Sequence, residues 1–117
     1  MSGNAELEAP VVEDNLTTTT NGQSNTPSTT LNTTMLAIAK CESGNRQFNA
    51  DGSVLRGKVN PQDIGEFQIN EKYHLQASIK LGYDIYTQSG NEAYAMYLYR
   101  TQGVKPWIHS APCHGYY

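Results

Sequence analysis

Residues 15–34 constrain this chain most. They are mostly Thr, Asn and Ser, broken by Gly22 and Pro27, and their sizeable apolar side chains are Leu16 and Leu31. Such a stretch cannot bury enough surface to offset its ordering entropy, so residues 1–32 are expected to be a disordered tail or linker. Any fold must come from residues 33–117, enough for one small domain and not for two. The triplets Asn15-Leu16-Thr17 and Asn32-Thr33-Thr34 match an N-glycosylation acceptor, a pattern too common by chance to carry an argument.

Charge separates the two parts. Glu6, Glu8, Glu13 and Asp14 give the tail −4, while all eight Lys and Arg lie in the domain against seven acids, within a chain total of −3. A near-neutral domain without a basic stripe argues against a nucleic-acid partner. No apolar run approaches a membrane span. The N-terminus lacks the basic and apolar regions of a signal peptide, so Met1 would follow a removed signal or export would use another route. Cys41 and Cys113, if bridged, would close a loop of 72 residues. In the chain-entropy model that closure is worth roughly 4–5 kcal/mol. Two unpaired thiols are the alternative.

Along the domain, Thr33 or Thr34 can cap a helix starting near Met35, with Met35, Ile38, Ala39 and Glu42 on one face and Ser43-Gly44-Asn45 as its stop. Asn49-Ala50-Asp51-Gly52-Ser53 is a turn, with Val54-Leu55 and Lys58-Val59 placed to form a short hairpin. Asp63–Asn70 reads as a strand end or a helix start. Residues 71–81 are expected to be helical, with Leu75 and Ile79 facing inward together with Tyr73 and Ala77. Ser89-Gly90-Asn91-Glu92 forms a capping box for a third helix reaching Gln102, on which Ala93, Met96, Tyr97 and Arg100 make the stripe. Pro106-Trp107 opens a short C-terminal piece. The expected class is mainly α (α+β), with a small polar loop or β insert after the first helix.

Glu42 stands at the C-terminal end of its helix among apolar neighbours. The helix dipole and the desolvation both favour a protonated carboxyl, the state a general acid needs near neutral pH. A solvated helix-end glutamate is the plainer reading of the position taken alone. A carboxyl held against apolar side chains and facing a polar strand or turn can protonate a glycosidic oxygen.

Three stretches together resemble the lysozyme superfamily, both the c-type lysozymes and the soluble lytic transglycosylases. They are Ala39-Lys40-Cys41-Glu42-Ser43, Asn49-Ala50-Asp51-Gly52-Ser53 and Asp63-Ile64-Gly65-Glu66-Phe67-Gln68-Ile69-Asn70. Asn91-Glu92-Ala93-Tyr94-Ala95, then Gly103 and Trp107, is similar to the superfamily's helix-glycine-tryptophan run, so the likeness covers roughly residues 35–113. It implies a lysozyme-like fold and cleavage of β-1,4 bonds between N-acetylmuramic acid and N-acetylglucosamine in peptidoglycan, with Glu42 as general acid. Asp63 would be the second carboxylate and Ser43 would orient Glu42 or a substrate group. Gln68 and Asn70 would bond sugar hydroxyls or the N-acetyl group, Gly65 would admit the backbone closely, and Tyr97 and Trp107 would line the substrate site.

The chain departs from both families. Asp63 follows Glu42 at a longer spacing than in c-type enzymes, their many cysteines are absent, and so is the transglycosylases' alanine-tyrosine-asparagine motif. If Asp63 points away, one glutamate would act as acid and then base while the substrate's 6-hydroxyl closes an anhydro ring. A catalytically inactive glycan-binding module is the alternative function. Glu66 is a further candidate carboxylate. Helical spacing also allows Tyr94 and Tyr97 to be core residues, and Trp107 is as suited to core packing as to lining the cleft. His109, His114, Cys41 and Cys113 fit no usual zinc spacing, and Cys41 beside Glu42 is a poor thiolate for a dyad with His109. No cofactor is implied. The expected partner is peptidoglycan glycan strands, with the chain acting as a monomer outside the cell, in the periplasm or in the envelope.

Overall fold

A computed structural model describes residues 31–117. The tail expectation for residues 1–30 lies outside the described residues. Leu31 and Asn32, also assigned to the tail, take part in the fold: Leu31 packs against the core and Asn32 caps the first helix. That helix, α1 (Thr33–Ser43), starts where Asn32 Oδ1 accepts the Met35 N–H at 2.9 Å, one residue earlier than Thr33. Asn is the stronger cap, which explains the shift. Gly44 ends the helix at φ 69°, its N–H reaching the carbonyls of Ala39 and Lys40. Met35, Ile38 and Ala39 are fully buried, Ser43 extends their face, and Glu42 lies half-buried at its margin.

The turn at residues 49–53 forms as expected. Asp51 Oδ1 accepts from the Ser53 N–H (2.9 Å) and hydroxyl (2.6 Å), while Asn49 N–H donates to Ser53 O at 2.8 Å. The hairpin differs from expectation, because Val54 pairs back with Phe48 and Val59 is fully exposed. The turn fixes which residues face each other. Leu55 N–H therefore bonds Gln47 O (2.9 Å), and the arm's other edge takes Gly65 N–H on Leu55 O (2.7 Å) and Asp63 O on Gly57 N–H (2.9 Å).

Residues 63–70 resolve into strand, turn and strand. Strand β1 (Asp63–Ile64) runs antiparallel to β2 (Ile69–Asn70), with Asp63 opposite Asn70 and Ile64 opposite Ile69. The connecting turn enters at Gly65 (φ 71°) and leaves at Gln68 (φ 51°). A Cβ on Gly65 would collide with the Gln47 carboxamide and lie 2.7 Å from Asn91 Nδ2, so both backbone angle and space require glycine there.

Helices α2 (Glu71–Lys80) and α3 (Gln88–Gln102) follow, then a 3₁₀ helix (Lys105–Ser110) and α4 (Ala111–His114). Both longer helices exist where expected, and Leu75, Ala77, Met96 and Tyr97 pack against the core, yet the most buried face of each helix is displaced from the expected one. On α2, Ser78 is fully buried while Tyr73 and Ile79 are 73% and 59% exposed, so neither faces inward. Asn70 caps α2 through Lys72 N–H and Tyr73 N–H, and His74 Nδ1 meets the Tyr94 hydroxyl at 2.8 Å; these contacts set the helix phase. On α3, Thr87 and not Ser89 is the cap, accepting from Gly90 N–H at 3.0 Å. Its buried face is Asn91, Tyr94, Ala95 and Leu98, while Arg100 is exposed. Periodicity misplaced the stripe because its buried face begins with Gly90 and the polar Asn91. None of the described helices is long and apolar enough to cross a membrane.

The core joins α1, the β1–β2 unit, α3 and Trp107. A disulfide between Cys41 and Cys113 fastens α1 to α4. The described part of the chain is thus mainly helical with a small two-stranded sheet.

Candidate active site

The β1–β2 turn is positioned by buried side chains from its surroundings. Gln47 Oε1 accepts the Glu66 N–H (2.8 Å) and Asn91 Oδ1 the Phe67 N–H (2.9 Å). Asn91 Nδ2 donates to Ile64 O and Ile85 O, both at 2.9 Å. Ser43 Oγ donates to Glu66 O (2.8 Å), and Trp107 Nε1 to Phe67 O (3.0 Å). A buried turn must satisfy each backbone donor and acceptor, and here α1, Gln47 in the loop after it, α3 and the 3₁₀ helix supply the partners.

That scaffold reassigns three residues. Trp107 is 3% exposed, with its ring centroid 6.0 Å from that of Phe67, so it is a core residue and does not line a sugar site. Ser43 is buried and turned to the Glu66 carbonyl, also accepting from Arg46 N–H at 3.0 Å; it does not orient Glu42. Asn70 spends its carbonyl oxygen on the α2 N-terminus and donates from Nδ2 to Asp63 Oδ1 at 2.9 Å. It therefore orients the Asp63 carboxylate. Gln68 is half-buried, its Nε2 donating to Gly65 O at 2.9 Å. Tyr94 belongs to the core, its phenol pushed up to about 12 mainly by burial, and Tyr97 lies half-buried with its ring 5.7 Å from Tyr94.

At the end of α1 the Glu42 carboxyl accepts a hydrogen bond from Ser110 Oγ at 2.5 Å. Burial raises its pKa first; the Ser110 hydroxyl opposes, the Asp63 charge raises it again, and His114 and His109 lower it slightly. Asp63 is therefore near enough for its charge to act on Glu42. A carboxyl that favours its proton beside a second, anchored carboxylate can deliver that proton to a leaving oxygen and stabilise positive charge opposite. Cys41 and Cys113 are consumed in the bridge, which removes the thiol that a zinc site or a cysteine dyad would have required.

Ser110 went unnoticed in the sequence, though a signal existed. The bridge places Cys113 beside Cys41, so a residue one turn before Cys113 falls next to Glu42. Because the hydroxyl stabilises the carboxylate, Ser110→Ala should raise the Glu42 pKa further. If Glu42 acts as a general acid, activity falls as pH rises through its pKa, so the alkaline limb of an activity profile should move upward. A pH–rate profile of the variant that stays in place or moves downward would refute this coupling.

Comparisons of the chain with protein-family models, curated proteins and solved structures returned no match.

Proposed function

We propose that this protein is a lysozyme-like, peptidoglycan-cleaving glycosidase that acts on the β-1,4 bond between N-acetylmuramic acid and N-acetylglucosamine, with Glu42 as general acid. The observation that carries the reading is the Glu42 carboxyl itself: half-buried, biased towards its protonated form, and under the charge of Asp63. Asp63, fixed by Asn70, favours a two-carboxylate hydrolase over a transglycosylase that works with one glutamate. Gln68 and Tyr97 remain the proposed sugar contacts. Gly65 does not: it is buried, its N–H is on Leu55 O and its carbonyl accepts from Gln68, so it shapes the turn, while Ser43 and Trp107 hold the turn's backbone and Asn70 holds the Asp63 carboxylate. The disulfide is compatible with work outside the cytoplasm or in the cell envelope.

Digestion of purified sacculi, followed by mass spectrometry of the soluble products, tests the proposal. Muropeptides with reducing ends are expected. Anhydro ends would shift the mechanism to a transglycosylase. Binding without soluble product would overturn the enzymatic reading in favour of a glycan-binding module.

A further inference from the structure

The β1–β2 turn has a second anchor, apart from the Glu42 carboxyl. Glu66 is 4% exposed, and Glu92 lies one turn after Gln88 on the face of α3 that meets it, which brings the two carboxyls within reach of a shared hydrogen bond. Gln88 Nε2, one turn earlier on α3, lies 3.5 Å from Glu66 Oε1. Ionised carboxylates are acceptors only, so a bond between two of them requires one shared proton. The other groups that hold Glu66 are neutral: the Gln47 carboxamide on its N–H and the Ser43 hydroxyl on its carbonyl. Among the described residues the one ion pair is Arg56–Glu71, which involves neither acid, so no cation replaces the proton when it leaves.

We propose that Glu66 and Glu92 form a one-proton latch that pins the Gly65–Asn70 segment to α3, with Glu92 as the positioning residue, and that loss of the proton loosens the segment. Two like charges then face each other beside a residue whose backbone is tied to Gln47 and to Ser43, the neighbour of Glu42 in α1. The Glu66 side chain cannot reach water without pulling on those bonds. Glu92 is pushed up to about 8, first by burial, then by the hydrogen bond and charge of Glu66. An unfolded glutamate releases its proton near 4.5, Glu92 in the folded chain near 8. Between those values the folded state binds more protons than the unfolded one. Stability therefore falls as pH rises through that window and levels off above it. Any effect on turnover rests on the glycosidase reading; the latch itself does not.

The test uses the full chain, labelled with ¹³C and ¹⁵N and titrated by NMR from pH 4 to 10. One of the two carboxyl carbons should show a midpoint near 8, and the Phe67 and Gln68 amides should shift with it. Carboxyls that both titrate in the ordinary range, or amides that do not follow, would overturn the proposal. Glu92→Gln keeps a donor for Glu66 without a titrating proton. It should abolish the shared midpoint and flatten the decline in Tm between about pH 5 and 8. A slope equal to the wild-type one would also overturn it. Glu66→Gln is the reciprocal variant, with the same expected flattening, should the first fail to fold. None of these readouts needs a substrate, so they succeed or fail separately from the assignment of glycosidase activity.

Discussion

Glu42→Gln is expected to reduce release of soluble muropeptides by roughly 10²–10⁴-fold, the usual contribution of a general acid. Glutamine has nearly the same shape and can still accept the Ser110 hydroxyl, so the 2.5 Å contact has a replacement acceptor. It cannot give up a proton. The same substitution removes a half-buried carboxyl whose pKa is raised in the folded state, first by burial and further by the Asp63 charge. A group with that shift destabilises the fold as pH rises above its unfolded pKa, so at neutral pH the variant should melt at or above the wild-type temperature. Loss of lysis together with an undiminished Tm separates loss of the acid from loss of the fold. Sacculus digestion at the wild-type rate would remove Glu42 from the mechanism.

The parts of this fold that were legible in the sequence are those set by local chemistry. The end of α1 at Gly44, the Asn49–Ser53 turn and the helical spans after Asn70 and before Gly103 follow from caps, turn residues and glycine stops. The half-buried position of Glu42 at the end of α1 was legible too, because it shares a helix face with Met35, Ile38 and Ala39. What escaped was tertiary. Hydrophobic periodicity assumes that a buried stripe is apolar, whereas α3 turns Asn91 inward and α2 turns Ser78 inward. Asn91 is inside because the β1–β2 turn needs a donor and an acceptor at that point, a demand visible only once the turn is packed on the helix. The resemblance likewise suggested Ser43, Asn70 and Trp107 for the substrate site. Each has a polar group suited to that task, but the folded chain claims those groups for Glu66 O, Asp63 and Phe67 O.

Removal of the bridge in a Cys41→Ala, Cys113→Ala double variant should cost about 4 kcal/mol, given the 72 residues that it closes. For a domain of this size the loss corresponds to a fall in Tm of about 15–30 °C. The folded form should nevertheless persist at low temperature. The C-terminal piece keeps Trp107 and Ala111 in the core, and the His114 ring keeps its contact with Trp107 O at 3.1 Å. The functional consequence is more local. Ser110 lies one turn before Cys113, and the bridge holds that turn against the residue preceding Glu42. Without it the hydroxyl is less firmly held on the carboxylate, and the Glu42 pKa should rise in the same direction as in Ser110→Ala. Chemical denaturation measures the first effect and the alkaline limb of the pH–rate profile the second. A stability loss below about 1 kcal/mol would mean that packing already restricts the ends of the loop in the unfolded ensemble, against the entropic account. A normal stability loss with an unmoved limb would mean that α4 reaches Glu42 by its own packing, leaving the bridge a staple of the fold alone.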